Sequence, residues 1–151
     1  MLEVETIEAL KGHVGQKLGT SDWLVVDQRM IDQFAEATGD HQWIHVDVER
    51  ARREMPGGRT IAHGYLTLSL LPRLNGSIFQ VKRRSRGVNY GSNKVRFTAP
   101  VPAGSRVRGH LTLKAVEPVE GGARLTMEAT VEVEGSGRPA LVAETLSLVY
   151  E

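Results

Sequence analysis

The chain has 151 residues, of which 40% are hydrophobic and 25% charged, and its formal net charge at pH 7 is +1. This length and balance predict one globular domain over residues 1–151, and they give no reason to expect nucleic acid or a membrane as a partner. Because the chain has no cysteine, disulfides, thiol catalysis and thiolate metal sites are excluded. It also has neither a signal-peptide pattern nor an apolar run near the roughly 18 residues of a membrane span, so we expect a cytoplasmic protein.

The first third of the chain predicts short elements. Residues 5–11 favour a short helix, and Trp23–Val26 is a compact apolar run of the kind typical of a strand. Asp27 follows directly and is placed to cap a helix over Gln28–Thr38, whose apolar residues repeat with helical spacing on one face. Gly39 supplies the left-handed position with which many helices end.

The middle of the chain predicts two more helices of different character. Asp47 is placed to cap a short polar helix over Val48–Glu54. From Tyr65 to Leu74 the residues are almost all apolar, and a helix that is apolar on every side is expected to be buried. Pro72 should end or kink this helix, because it has no N–H to donate to the preceding turn.

The second half of the chain alternates between apolar and polar residues, which predicts long strands with one wet face. Four such strands are expected, over residues 87–98, 106–116, 123–133 and 140–150. Glu144 falls on the apolar face of the last strand, and the sequence offers no reason for it. We predict an α+β fold in which an antiparallel sheet of about five strands wraps the long apolar helix. Its exposed edges predict a homodimer that forms through the sheet.

Asp40 and His45 stand in the loop between two predicted helices, where neither is needed as a cap or in the core. A carboxylate and an imidazole that both reach one water form an acid/base pair, because histidine titrates near neutral pH. Such a pair suits the addition of water to an activated double bond, or its removal. The alternative is an Asx-turn at Asp40 with an exposed His45. A metal site is not predicted, because the spacing matches no strong ligand motif.

Gly64 lies at the start of the apolar helix, directly after His63. Backbone N–H groups in a first helical turn lack partners within the helix, and glycine lets a ligand come close to them. A thioester oxygen held there would be polarised, which would stabilise an enolate. The alternative is that Gly64 is small because a strand crosses it, with His63 as a cap or a structural hydrogen-bonding residue.

These two stretches together resemble a known motif. Asp40 and His45, followed by Ala62-His63-Gly64, are similar to the hydratase motif of MaoC-like proteins, the (R)-specific enoyl-CoA hydratases and dehydratases, NodN-like members included. The likeness continues through Leu66–Pro72 and Asn89–Phe97 and closely matches the single-hot-dog hydratases of actinobacteria. It implies the hot dog fold, a long central helix wrapped by an antiparallel sheet. It also implies hydration of a trans-2-enoyl-CoA to an (R)-3-hydroxyacyl-CoA by a homodimer without a cofactor.

The resemblance further implies roles for individual residues. Asp40 and His45 would bind and activate the water, one of them would return a proton to the α-carbon, and the Gly64 amide would hold the thioester oxygen. Candidates for contact with the acyl-CoA substrate are Gln42, Trp43, His63, Tyr65, Tyr90 and Asn93. Gln42 and Trp43 replace the Asn-Pro of the family pattern, so the loop loses the restraint that proline places on φ.

Other interpretations stay open. Tyr90 and Asn93 suit a dimer edge as well as a pocket, and the basic run Lys82–Arg86 suits a solvated surface as well as an anchor for CoA phosphates. A thioesterase of the same fold often places an acid on its central helix, and the predicted apolar helix contains neither Asp nor Glu. A binding module for acyl thioesters would have no need of the acid/base pair.

Overall fold

A computed structural model describes residues 1–151 and has eight β-strands in two sheets. The short strands are β1 (Leu2–Val4), β2 (Lys17–Thr20), β3 (Leu24–Val26) and β4 (Phe79–Val81). The long strands are β5 (Arg86–Phe97), β6 (Ser105–Val119), β7 (Gly122–Val133) and β8 (Leu141–Tyr150). Long alternating strands are therefore present where the sequence predicts them.

The larger sheet is antiparallel and has six strands, one more than the five expected. Its order is β2-β6-β7-β8-β5, and β3 also pairs with β6. The additional strand is β2, where the register shifts between Lys17 and Gly19, and so short and irregular a segment carries no alternating pattern in the sequence. β1 and β4 pair in parallel as a separate two-stranded sheet.

Six α-helices accompany the sheets: α1 (Ile7–Leu10), α2 (Gln28–Thr38), α3 (Trp43–Val46), α4 (Val48–Glu54), α5 (Gly64–Ser69) and α6 (Leu71–Asn75). Asp27 caps α2 by accepting a hydrogen bond from the N–H of Met30 at 2.9 Å. Asp47 caps α4 by accepting one from the N–H of Arg50 at 3.0 Å. Gly39 ends α2 in the left-handed conformation. The predicted caps are thus confirmed, and no helix is long and apolar enough to cross a membrane.

The apolar helix predicted from Tyr65 onward is divided between α5 and α6, with Pro72 in the first turn of α6. The break is the one that the missing N–H of a proline requires. The expectation of burial on every side is wrong for this chain on its own, because Tyr65 is 68% exposed and Pro72 also faces outward. The buried face consists of Leu66, Thr67, Leu70, Leu71 and Leu74.

One core of 27 buried residues joins the helices to the sheet. Its centre lies under β6 and β7, where the side chains of Leu111, Leu113, Leu125 and Val131 have no exposed surface. Each such side chain contributes about 1.5–3 kcal/mol by leaving water. Gly109 of β6 lets α6 approach, since a Cβ there would lie 3.3 Å from the Cβ of Leu74. This packing fixes the position of the helix pair against the sheet.

β5 forms a free edge of the sheet, because it pairs only with β8. All but one of its residues are exposed, including the apolar side chains of Val88, Tyr90 and Phe97. The structure also explains Glu144 on β8, whose Oε1 accepts a hydrogen bond from Nδ2 of Asn93 on β5 at 2.7 Å. A carboxylate is therefore tolerated on this strand because it is partnered across the pair.

Candidate active site

The loop after α2 and the segment before α5 meet in space. Nε2 of His63 donates a hydrogen bond to the backbone carbonyl oxygen of Asp40 over 3.0 Å. The imidazole rings of His45 and His63 stack, with centroids 3.8 Å apart and planes 24° from parallel. One ring nitrogen from each histidine and a carboxylate oxygen of Asp40 lie within 4.8 Å of one another. Residues that are far apart in the sequence therefore form one polar cluster.

His45 is held in a defined tautomer. Its ring is only 7% exposed, and its Nδ1 lies 2.7 Å from the backbone carbonyl oxygen of Ile61. A carbonyl oxygen only accepts, so Nδ1 carries the hydrogen and Nε2 of the neutral ring keeps a free lone pair. Burial lowers the pKa of His45 below its ordinary value of 6.5, against the opposing effect of the hydrogen bond to Ile61. His45 is therefore suited to accept a proton at neutral pH.

Gln28, the first residue of α2, holds the backbone around His45 in place. Its Nε2 donates a hydrogen bond to the carbonyl oxygen of His45 at 2.8 Å, and its Oε1 accepts one from the hydroxyl of Thr60. The N–H of Ile61 donates to the carbonyl oxygen of Ile44 at 3.0 Å. Nothing in the sequence marks Gln28 as functional, because a glutamine in the first turn of a helix looks the same whether its side chain is buried or exposed to solvent.

His63 is buried more deeply than His45, with 2% of its surface exposed. Its Nδ1 is buried and has no hydrogen-bond partner. The ring of Phe34 of α2 lies 4.9 Å from the His63 ring, at an angle of 58°. His63 is therefore enclosed between α2 and the His45 ring and touches the acid/base pair directly.

The stacking of the two imidazoles does not suit a shared metal ion. A metal bound by an imidazole lies close to the plane of that ring. Two stacked rings with centroids 3.8 Å apart and planes 24° from parallel do not meet at a nearby point. The cluster of Asp40, His45 and His63 is thus better arranged for proton transfer than for holding an ion.

A cavity of about 360 Å³ opens in front of His45 and Gly64, at the lower end of the usual range for small-molecule sites. A Cβ atom at position 64 would lie 2.7 Å from the ring of Phe97, so the glycine is also required by the strand that crosses it. The remaining lining is uncharged: Ile61, Ala62, Thr67, Phe97, Thr98, Ala99, Pro100, Val101 and Ala140. The apolar lining suits an acyl group, with His45 as the only titratable side chain on the wall.

The loop residues around Asp40 lie outside this cavity. Asp40 itself is exposed, and its Oδ1 accepts a long hydrogen bond of 3.4 Å from the N–H of Gln42, in the manner of an Asx-turn. Gln42 is exposed as well. Trp43 is half-buried beneath the guanidinium group of Arg50, 4.0 Å from its ring. In this chain alone, neither Gln42 nor Trp43 lines the cavity.

The other residues predicted to contact substrate lie towards the free edge of the sheet. Tyr65 packs edge-on against Phe97, with ring centroids 5.6 Å apart. Tyr90 lines a second cavity of about 670 Å³, between the α5–α6 pair and the strands β5 and β8. Asn93 is engaged with Glu144. The second cavity is the larger one, but its only charged side chain is Arg84 and it contains no acid/base pair. His45 and Gly64, the candidate catalytic residues, therefore line the smaller cavity.

The chain is similar to a known protein family and to named proteins. The model of the family described as "MaoC like domain" matches residues 9–136. The chain is 52% identical over 147 residues to 3-hydroxyacyl-thioester dehydratase Z of Mycobacterium tuberculosis, and the match covers 97% of each chain. It is 50% identical over 139 residues to nodulation protein N of Rhizobium leguminosarum bv. viciae, covering 90% of this chain and 86% of that protein.

Solved structures agree in fold. The R-hydratase PhaJ1 from Pseudomonas aeruginosa superposes with a TM-score of 0.77 at 23% identity, covering 97% of this chain and 86% of that one. The (R)-hydratase from A. caviae involved in PHA biosynthesis superposes with a TM-score of 0.70 at 25% identity, covering 89% and 94%. These likenesses confirm the predicted hot dog fold.

Proposed function

The chain belongs to the MaoC-like dehydratase family and is an enzyme of the hydratase/dehydratase class, and from this we propose its reaction. It adds water reversibly to a trans-2-enoyl-CoA and forms the (R)-3-hydroxyacyl-CoA, acting through one MaoC-like domain over residues 1–151. Support for the thioester comes from the relative named a 3-hydroxyacyl-thioester dehydratase, at 52% identity. Support for the (R) configuration comes from the hydratase motif and from the fold shared with two (R)-hydratases.

The observation that carries this proposal is the neutral, buried imidazole of His45 with one nitrogen left free. Ile61 occupies Nδ1, so Nε2 is the only ring atom able to take a proton. The same cavity is lined by Gly64, whose backbone can come close to a substrate oxygen. A base and an oxyanion donor on one apolar cavity are the two requirements for adding water to a conjugated thioester.

The proposed reaction moves one proton from water to carbon through His45. Nε2 of His45 removes a proton from water while the water oxygen bonds to C3 of the substrate. The electrons of the double bond move to the thioester oxygen, where the N–H of Gly64 donates a hydrogen bond to the resulting enolate. The enolate then collapses and takes the proton from His45 at C2. The result is the net addition of H and OH, and dehydration follows the same steps in reverse.

Asp40 has the supporting role in this scheme. Its carboxylate lies close to both imidazoles and is exposed on its outer side. A carboxylate so placed orients the attacking water and stabilises the imidazolium form of His45 while the proton is held there. Its negative charge raises the pKa of His45, against the larger effect of burial.

We also propose that the enzyme is a homodimer joined through β5. The strand presents unpaired backbone groups along a twelve-residue edge, and such edges are normally covered or paired. The exposed apolar residues Tyr65, Val88, Tyr90 and Phe97 lie at or beside this edge. Sedimentation of Val88→Asp tests the proposal: the wild type should be a dimer and the variant a monomer, and a wild-type monomer would contradict it.

The activity is tested with crotonyl-CoA and longer trans-2-enoyl-CoAs. Absorbance of the conjugated thioester and free thiol are followed together, and the product is resolved by chiral chromatography. We expect absorbance to fall without thiol release and the product to be the (R) isomer. Thiol release would point to a thioesterase, no turnover at any chain length would point to a binding module, and the (S) product would refute the stereochemical assignment.

A further inference from the structure

We propose that His63 is a positioning residue of this reaction, an imidazole fixed in one tautomer by its hydrogen bond to the backbone. Its edge holds the backbone of Asp40, and its face supports the ring of His45. Because it directly precedes Gly64, it ties together the three parts of the proposed site. The kinetic part of this inference rests on the proposed hydratase function, whereas the part that concerns the tautomer does not.

The surroundings of His63 determine which of its ring nitrogens carries the hydrogen. Nε2 faces the carbonyl oxygen of Asp40, which only accepts, so Nε2 carries the hydrogen. Nδ1 is buried and has no partner, in a side chain that is 2% exposed. A second proton on Nδ1 would create a buried donor without an acceptor in the protein, a costly arrangement. Nδ1 of His63 therefore remains a buried lone pair without a partner.

The stacked partner differs in one respect that decides the division of roles. His45 also gives its Nδ1 hydrogen to a carbonyl oxygen, that of Ile61. Its Nε2, however, is free, and the ring lines the cavity. Two cationic rings with centroids 3.8 Å apart would repel strongly in a buried site. Only one ring of the pair can take a second proton at a time, and access to the cavity assigns that role to His45.

Few other groups act on this pair. α2 faces the cluster with Phe34 and Gln28, neither of which titrates. The cavity wall holds no charged or titratable side chain besides His45. Asp40 is the one carboxylate within reach. The pH dependence of the site therefore comes from His45, with His63 and Asp40 as its only charged or titratable neighbours.

Two variants separate the contributions of the edge and the face of His63. His63→Gln keeps an N–H that can reach the carbonyl oxygen of Asp40 but removes the stacked ring. His63→Phe keeps a ring of similar size against His45 but removes the donor. Circular dichroism and thermal unfolding establish that each variant folds.

Hydration is then measured as kcat/KM against pH. In His63→Gln, water reaches the face of His45, so the pKa of His45 rises towards its ordinary value and the acidic limb moves to higher pH. Each pH unit by which the limb moves lowers kcat/KM about tenfold at pH values below the limb, while the rate at high pH recovers to within about threefold. In His63→Phe, kcat/KM falls about tenfold or more at every pH because Asp40 is released. An unmoved limb in His63→Gln would overturn the positioning role.

An independent arm uses the wild-type protein without substrate. Long-range ¹H–¹⁵N correlation spectra report the tautomer of each imidazole, and His→Gln substitutions assign the signals of the five histidines. We expect His63 to show the Nε2–H tautomer and His45 the Nδ1–H tautomer, and we expect His45 to titrate with a pKa below its ordinary value of about 6.5. A hydrogen on Nδ1 of His63 would overturn the inference. A wild-type enzyme that fails to hydrate any enoyl-CoA would instead refute the proposed function alone.

Discussion

The molecule has two histidine clusters that differ in their hydrogen-bond partners. In the cavity, His45 and His63 are buried and make their ring hydrogen bonds to backbone carbonyl oxygens. On the outer side of the sheet, the side chain of His110 is 27% exposed and is bonded at both nitrogens by charged groups. Its Nδ1 lies 2.9 Å from Nζ of Lys17, and its Nε2 lies 2.7 Å from Oε2 of Glu132.

The outer cluster holds strands together. Glu132 of β7 also accepts from Nε of Arg108 at 2.7 Å, so the polar chain runs from β2 through β6 to β7. The hydrogen bond from Arg108, and after it the one from His110, lowers the pKa of Glu132 below its ordinary value. Neither cavity described above is lined by these residues.

The comparison shows that the number of polar partners does not make a histidine catalytic. His110 has more partners than His45, but both of its nitrogens are occupied. His45 has one nitrogen bonded, the other free, and an apolar cavity in front of it. A free lone pair beside space for a substrate is the feature that separates the two clusters.

The same substitution, histidine to glutamine, made once in each cluster is the strongest test of this difference. His45→Gln removes the proposed base and should lower kcat for hydration by about 10²- to 10⁴-fold. His110→Gln should leave kcat within about threefold of wild type, because surface substitutions act mainly on stability. Steady-state kinetics with crotonyl-CoA measures both. Comparable losses in the two variants would mean that His45 has no special role.

The carboxylate beside the buried pair should matter almost as much. Asp40→Asn keeps the acceptor oxygen that Gln42 uses but removes the charge that supports the imidazolium, and kcat should fall at least about a hundredfold. Asp47→Asn is the matched control, because asparagine caps a helix as well as aspartate does. Near-normal turnover of Asp40→Asn under the same assay would exclude Asp40 from the mechanism.

Gly64 provides a test of packing at the same site. Gly64→Ala forces its methyl group into the ring of Phe97, 2.7 Å away, and overpacking of this kind costs about 1–3 kcal/mol of unfolding free energy. Gly12→Ala meets no atom within 4 Å and should be close to neutral. Urea unfolding compares the two variants.

A compensating change decides whether the collision with the ring is the cause. In a Gly64→Ala background, Phe97→Leu opens space for the new methyl group. The pair should therefore recover more stability than the two single changes predict by addition. Strict additivity would show that Gly64 is required for a different reason.

Local signals account for what the sequence predicts well. Asp27, Asp47 and Gly39 each act within one helical turn, so their capping roles follow from neighbouring residues alone. The long strands follow from strict alternation for the same reason. Asp40 and His45 are recognisable because a carboxylate and an imidazole stand close together between two predicted helices, although His45 itself lies in the short helix α3.

Contacts between distant segments account for what the sequence does not predict. The bond between His63 and the carbonyl of Asp40 spans 23 residues, and a backbone acceptor leaves no mark in the sequence. Gln28 meets His45 and Thr60 only because α2 folds over both. The exposure of Tyr65 likewise depends on which face of α5 meets the sheet. Apolar composition alone does not give that orientation.

The smallest expected effect belongs to the outer cluster and concerns stability alone. Glu132→Gln removes the charge that Arg108 and His110 bind, and pairs this exposed are worth about 0.2–1 kcal/mol of unfolding free energy at pH 7. Glu128→Gln is the control in the same strand, since Glu128 only approaches Lys114 at 3.9 Å. Glu128→Gln should therefore lose less unfolding free energy than Glu132→Gln. Urea unfolding of both variants against wild type supplies the numbers.

The pH dependence gives the sign of the Glu132 contribution. Its pKa is lower in the folded chain than the ordinary value of 4.5 that applies when the chain is unfolded. The stabilisation is therefore complete above that ordinary value and is lost as pH falls through the folded pKa. The difference between wild type and Glu132→Gln should be largest near neutral pH and shrink in acid, and it should also shrink in about 1 M salt, where charges are screened within about 3 Å. A difference that stays constant from neutral pH into acid would mean that the glutamine changes packing rather than charge. Packing would then account for the stability that the outer cluster contributes.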